Sequence, residues 1–276
     1  MKRLYISVDN EGIAGTTTML GQGMPGSFEY ERMREWMTNE ALAVIEAATE
    51  HGIEEFVVAD SHGNAENLLI EKFPKNTTIV RSWPRPLSMA DGVETGPFVG
   101  GALIGYHAAA NAPSGTQRHT MLGIFNEVKL NGERASETTL HAAIAGEFGV
   151  PIILTSGDDA YIEHAHELLG DIETVTTKWT RGMLSVRTHT PERSAELIYE
   201  ATDRALKRIE EFKPFKMEGP ILVEFTFRHC MNTEYVSYLP NVEVTGALTA
   251  QIELPDIISV SRFITFLTMY KQKPVV

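Results

Sequence analysis

The chain is short of cysteine, of long apolar runs and of positive charge, and each shortage removes a class of function. One cysteine, Cys230, stands among 276 residues, so no intrachain disulfide can form and a reducing compartment fits. No apolar run approaches the roughly 18 residues needed to span a membrane. The N-terminus, MKRLYISVDNEG, starts basic, but its apolar stretch is too short for a secretory signal and runs straight into charge. A soluble cytoplasmic protein is expected. Lys and Arg total 24 against 37 Asp and Glu, a formal net charge of −13. That balance argues against nucleic acid or an anionic membrane as partner, and it also simply favours solubility. Two familiar signatures are missing as well. GQGMPG (21–26) matches a nucleotide-binding GxGxxG only formally, because it follows a loop rather than a strand and lacks the Lys and Ser/Thr of a phosphate loop. There is no HExxH, which excludes a zincin-type helix.

What is present reads as alternating strands and helices. RLYISVD (3–9) is a strand by alternation, and Met33, Trp36, Met37, Ala41, Val44, Ile45 and Ala48 recur at helical steps over 28–50, with Gly52 as the stop. EEFVVADSHGN, NTTIVRSW and FVGGALIGYHAA read as three further strands. HTMLGIFNEVKLNGERAS reads as a hairpin turning at Asn131-Gly132, after which Ser136 caps a helix over 137–148 ended by Gly149. VPIILTSGDDA is another strand, followed by a helix near 159–168. This alternation predicts an α/β core, a mostly parallel sheet with helices on both faces. After residue 190 come a long helix (PERSAELIYEATDRALKRIEEF), the strands PILVEFTFR and NVEVTGALTAQIEL, and a helix over 256–270. They predict a smaller C-terminal α+β unit, giving a catalytic domain over 1–190 and a second domain over 191–276.

Parallel sheets place their sites at the carboxyl ends of strands, and those ends are chemically unusual here. The first strand ends in Asp9 and Glu11, the second in Asp60, Ser61 and His62, and the fourth in His107; the hairpin adds His119 before it and Glu137 after it. Asp9 and Glu11, two residues apart on extended chain, repel each other and call for a compensating positive charge. Imidazole and carboxylate donors together suit a divalent transition metal, zinc above all. Asp9 and Glu11 could share one ion, or one of them could bridge two. Two ions sharing a carboxylate polarise a carbonyl and generate hydroxide near neutral pH, which is hydrolytic chemistry. Each residue taken alone also has a structural use. Asp60 suits backbone hydrogen bonding, His107 an apolar core, and Glu137 the N-terminus of a helix.

The other candidates carry less. His141 lies one helical turn after Glu137; His164 and His166 diverge on a helix and read as surface; His51 suits a helix C-terminus; His189 and His229 have no informative spacing; Cys230 reads as a buried thiol. Asp158 and Asp159 end a strand, as helix caps or as recognition groups for a substrate amine.

In order along the chain, SVDNEG (7–12), VADSH (58–62), GALIGYHA (101–108), HTM (119–121), NGERASE (131–137) and SGDD (156–159) resemble the zinc-dependent D-aminopeptidase family. The resemblance runs from residue 3 beyond 180 and more weakly through YVSYLPNVEVTGALTAQIE. It implies two zinc ions per chain held by Asp9, Glu11, His62, His107 and Glu137, with Asp9 bridging them and His119 as the catalytic residue. It also implies a decameric ring with the sites facing an internal cavity. Asn10 stands where the family often has Met, and His141 lies outside the family pattern. The expected activity is a binuclear zinc aminopeptidase cutting short peptides that have a free N-terminus and contain D-residues or glycine. The alternatives are another metal-dependent amidohydrolase or phosphoesterase, disfavoured because Arg118 is the nearest basic group in sequence, and a non-enzymatic, metal-stabilised assembly module.

Overall fold

The computed structural model describes residues 1–270. Its larger sheet is built from β1 (Arg3–Val8), β2 (Glu55–Asp60), β3 (Thr77–Val80), β4 (Gly100–Tyr106), β7 (Ile152–Asp158), β8 (Glu173–Gly182) and β9 (Ser185–Thr188). The spatial order is β3-β2-β1-β4-β7-β8-β9, parallel throughout except for the antiparallel β8–β9 pair. β1 and β4 are neighbours from which the chain winds outwards in opposite directions. Between their carboxyl ends lies the crevice of a doubly wound sheet.

Helix α1 (Tyr30–Glu50) crosses from β1 to β2. Helices α2 (Glu137–Glu147) and α3 (Asp159–Leu169) belong to crossovers running the other way, which right-handed connection places on the opposite face. Local chemistry sets the boundaries. Ser136 caps α2 in a reciprocal capping box with Thr139, and Gly149 follows that helix with φ of +74°. Asn131 and Gly132 both take positive φ, 54° and 84°, as the tight turn of a hairpin requires.

That hairpin, β5 (Phe125–Leu130) and β6 (Glu133–Arg134), does not join the larger sheet. It pairs with β10 (Ile221–Phe227), which continues to β12 (Thr249–Leu254) and β11 (Glu243–Val244) in an antiparallel sheet of order β11-β12-β10-β5-β6. Phe125 stacks on Phe225 with ring centroids 5.4 Å apart, anchoring the pairing in the core. Helix α4 (Pro191–Lys207) packs against α1 and β8, on the larger sheet. The expected boundary at 190 therefore does not separate the two sheets. The hairpin finds its partner strand about ninety residues on, and α4 turns back. Two short helices complete the second region, α5 (Cys230–Val236) and α6 (Ile257–Met269). No helix among the described residues is long and apolar enough to cross a membrane.

Candidate metal centre

The crevice between β1 and β4 is closed where the loop that follows β1 bonds to the carboxyl end of β4. Asp9 N–H donates to the Ile104 carbonyl at 2.8 Å, and Gly12 N–H to the Gly105 carbonyl at 2.7 Å. Only glycine fits this crossing. A Cβ on Gly12 would lie 1.9 Å from the Tyr106 carbonyl oxygen, and one on Gly105, which has φ of +73°, 2.3 Å from that of Asp9. The end of β2 joins the same edge through Ser61 N–H to the Val8 carbonyl. Asp9, Glu11, His62 and His107 thus arrive from three adjacent strand ends, and α2 brings Glu137 at its first residue.

Six of the residues singled out in the sequence converge. Their donor atoms form three sets, each within 4.8 Å: Asp9, Glu11 and His62; Asp9, His107 and Glu137; Glu11, His107 and His119. Each imidazole is oriented by a backbone carbonyl. His62 Nε2 lies 2.7 Å from the Gly23 oxygen, His107 Nδ1 3.0 Å from Ala108, and His119 Nδ1 2.9 Å from Gln117. A carbonyl only accepts, so these nitrogens carry the proton in the neutral ring and the opposite nitrogens present lone pairs. Those lone pairs face the carboxylates. His62 Nδ1 is 2.9 Å from Glu11 Oε2 and 3.5 Å from Asp9 Oδ1; His107 Nε2 is 3.5 Å from both Asp9 Oδ2 and Glu137 Oε2; His119 Nε2 is 3.6 Å from Glu137 Oε1. The His107 and His119 rings stack at 4.3 Å.

Acceptors facing acceptors need a cation between them. Asp9 Oδ2 and His107 Nε2 are buried and have no hydrogen-bond partner among the described residues. Carbonyl-oriented imidazoles with carboxylates are the donor set and outer support of a zinc site, so the residues fit the metal. Asp9 turns one oxygen to His62 and the other to His107, so a single carboxylate serves two donor sets.

The same crowding governs protonation when protons must supply the positive charge. Burial pulls the His107 imidazole down, but Glu137 and Asp9 outweigh it and hold it up at about 10. His62 is likewise raised against burial by Glu11 and Asp9. Burial pushes Glu137 up, and His107 overrides it to about 2. Asp9 is held well above the usual carboxylate range by burial and the neighbouring Glu11 charge.

Several other candidates lie outside the cluster. Asp60 accepts from the backbone N–H groups of Asn67 and Leu68 and from the Asn67 amide. His141 is buried beside Tyr106, edge to face, and burial pushes it down to about 4. Asp158 caps α3 through Tyr161 N–H, and Asp159 accepts from Thr180 N–H. Both carboxylates are thus engaged at the end of β7 and the start of α3, away from the residues that line the cleft. Cys230 is exposed rather than buried, because it opens the short helix α5 at the surface.

The cluster forms the floor of a cleft of about 520 Å³, whose walls carry Trp83, Met121, Met183, Gln117, Arg118 and Arg228. The β8–β9 hairpin supplies Met183 at its turn, and neither it nor the cleft positions of Gln117 and Arg228 was legible in the sequence. The alternating, β-branched run ETVTTKW over 173–179 was the available signal for β8.

Comparison with known proteins agrees with this architecture. A family model described as D-aminopeptidase matches residues 1–266. The D-aminopeptidase of Bacillus subtilis (strain 168) is 31% identical over 259 residues, 93% of each chain. The solved structure of the Zn-dependent D-aminopeptidase DppA from Bacillus subtilis, a self-compartmentalizing protease, superposes with a TM-score of 0.90 at 30% identity, covering 98% of this chain and 99% of that one. Matched along nearly its whole length in sequence and in fold, the chain belongs to the D-aminopeptidase family.

Proposed function

We propose that this zinc metallopeptidase is a binuclear aminopeptidase, with two zinc ions per chain, that hydrolyses short peptides bearing a free N-terminus and containing D-residues or glycine. Asp9, Glu11, His62, His107 and Glu137 would hold the metals, with Asp9 shared between the two donor sets. The observation that carries the proposal is the divergence of the two Asp9 oxygens towards two separately oriented histidines. Zinc held there supplies Lewis acidity and an activated water near neutral pH. His119 is the catalytic residue. Its Nδ1–H is anchored on the Gln117 carbonyl, and its half-buried Nε2 faces the cleft floor, placed to take a proton from water and return it to the leaving amine. Among the described residues the carboxylates lining the cleft are Asp9, Glu11 and Glu137, and with all three engaged as metal ligands a free N-terminus would be bound at this floor as its neutral amine. Arg118 and Arg228 give the walls positive charge, suited to the free carboxylate at a short peptide's other end.

The open cleft and the 25% exposure of the His119 side chain speak against a closed, purely structural metal module. Assembly into a homo-oligomeric ring, a decamer by resemblance, is supported by the self-compartmentalizing relative and by exposed Leu20 and Phe28. Cytoplasmic location is supported by the lone cysteine.

The test is kinetics of the zinc-loaded protein on matched free and N-acetylated alanyl dipeptides of both configurations, with casein and a phosphate monoester alongside. Cleavage confined to the free dipeptides is expected. Equal cleavage of acetylated forms, or efficient cleavage of casein or the phosphate ester, would remove the aminopeptidase function.

A further inference from the structure

The chain has 11 methionines, and five of them line the cleft above the metal cluster: Met19, Met89, Met121, Met183 and Met269. Core packing does not account for all of them, because Met183 is 41% exposed and Met121 only half-buried. Apolar side chains held against water around a site mark a surface that a ligand covers. Two of the five are tied to the loop that carries His119. Met121 N–H donates to Glu137 Oε1 at 2.6 Å, the same oxygen that His119 Nε2 faces at 3.6 Å. On the other flank of His119, Gln117 N–H donates to the Met183 carbonyl at 2.8 Å, which fixes the β8–β9 turn beside this loop. Met121 and Met183 thus border the His119 end of the floor.

Apart from Arg118 and Arg228, the polar side chains of the walls have nothing to offer a ligand. Thr18 Oγ1 receives Gly21 N–H at 2.8 Å, Ser61 Oγ is bonded to Ser7, and Trp83 Nε1–H donates to the Gly63 carbonyl at 2.8 Å. The amide atoms of Gln117 are buried. Between the charged floor and the two arginines, the walls present thioether and hydrocarbon. An alanyl or glycyl group would leave most of a cleft of about 520 Å³ unfilled.

We propose that Met121 and Met183 are specificity-determining residues that receive a large apolar side chain on the leaving residue, the one whose amine the cleavage releases. Peptides with such a residue directly after the scissile bond are therefore the preferred substrate class. The inference rests on the aminopeptidase function proposed above. His119 returns its proton to the leaving amine, and the Cα bonded to that nitrogen carries the side chain in question. The side chain therefore emerges at the His119 end of the floor, where the two methionines stand. Unbranched, polarizable thioethers repack around different shapes, so the wall selects for apolarity and accepts a range of sizes.

The experiment compares zinc-loaded wild type with Met121→Gln and Met183→Gln, which keep the length of the side chain and replace thioether by carboxamide. Thermal melting, zinc analysis and size-exclusion chromatography accompany each. The substrates are alanyl-leucine, alanyl-phenylalanine and alanyl-asparagine, each in the configuration wild type prefers; leucine and asparagine match closely in shape and differ in polarity. Wild type is expected to favour alanyl-leucine over alanyl-asparagine by about thirtyfold in kcat/KM, chiefly through KM, the scale of burying a leucine side chain. Alanyl-phenylalanine should fall near alanyl-leucine, as an adaptable wall allows. Each variant narrows the leucine-to-asparagine ratio by about fivefold. Should Met121→Gln not fold, Met183→Gln carries the test, since its side chain stands on an exposed turn. A wild-type ratio near one, or variants that lose equally on every substrate, overturns the proposal; equal losses together with a changed oligomeric state would mark the wall as a subunit contact instead. If wild type cleaves none of the three, the aminopeptidase function itself fails. Calorimetric binding of the uncleaved dipeptides then still decides the role of the wall: tighter binding of alanyl-leucine supports it, and equal binding overturns it.

Discussion

Two clusters of buried charge lie on either side of the loop 9–16. On the cleft side, three carboxylates and three imidazoles face one another with acceptors opposed and orphaned atoms between them. On the core side, the fully buried Lys178 directs its ammonium to the Ile13 carbonyl at 2.9 Å, the Thr16 carbonyl at 2.8 Å and Thr16 Oγ1 at 2.6 Å, three donors for three acceptors. Nearby, Glu40 accepts from Ala14 N–H and Ser194 Oγ–H. Lys178 is satisfied by protein, and its role is complete when the chain has folded. The cleft cluster is incomplete without cations. Burial and carboxylates alone would describe both sides equally. What separates them is the source of the cation: on the core side the protein supplies Lys178 and only Glu40 Oε2 is left without a partner among the described residues, whereas the facing acceptors of the cleft side have no such cation from the chain.

The difference predicts opposite consequences of substitution. The largest effect falls on the cleft side. His62→Ala or Glu137→Ala is expected to lose zinc together with activity while the fold persists, as measured by elemental analysis beside circular dichroism. His119→Ala is expected to retain its zinc and lose about two to four orders of magnitude in turnover, the scale of a general acid–base group. Retained turnover would refute the catalytic assignment, and lost zinc would make His119 a ligand.

On the core side the pattern reverses. Lys178→Met leaves three acceptors around an apolar chain and is expected to lower folding stability by about 3 kcal/mol in urea unfolding of the zinc-free protein. The same variant, refolded and remetallated, is expected to bind zinc. If it instead lost zinc with no loss of stability, the two clusters would be one unit and the distinction would fall.

The smallest effect is in pH. His107 in the zinc-free protein is held at about 10 against its ordinary 6.5. A raised value stabilises fully below pH 6.5, and that contribution is lost as pH rises through 10. Zinc replaces the proton and binds more tightly as protons leave. The gap in melting temperature between zinc-loaded and chelated protein should therefore widen from pH 6.5 to 10. Lys178 and Glu40 titrate in both forms and drop out of the difference. A constant gap would show that His107 is not charged in the free protein.

The sequence made one cluster legible and hid the other. Asp9, Glu11, His62 and His107 end apolar runs, and a parallel sheet gathers strand ends at one edge, so their meeting follows from periodicity and topology. Glu137 and His119 flank a hairpin whose Asn-Gly turn is readable. Lys178 sits inside an alternating run where a lysine reads as a solvent-facing residue, and nothing local says that three oxygens from 13–16 await it. Gln117 and Arg228 reach the cleft by loop paths and long-range strand pairing, which leave no periodic trace. The hairpin's membership of the second sheet was hidden for the same reason, since its partner strand lies far along the chain.

The most direct test of the account is the zinc stoichiometry of the intact protein. After chelation, remetallation and removal of excess metal, native mass spectrometry with elemental analysis should find two zinc ions per chain, as the proposed sharing of Asp9 between two donor sets predicts. One ion or none under those conditions would contradict it.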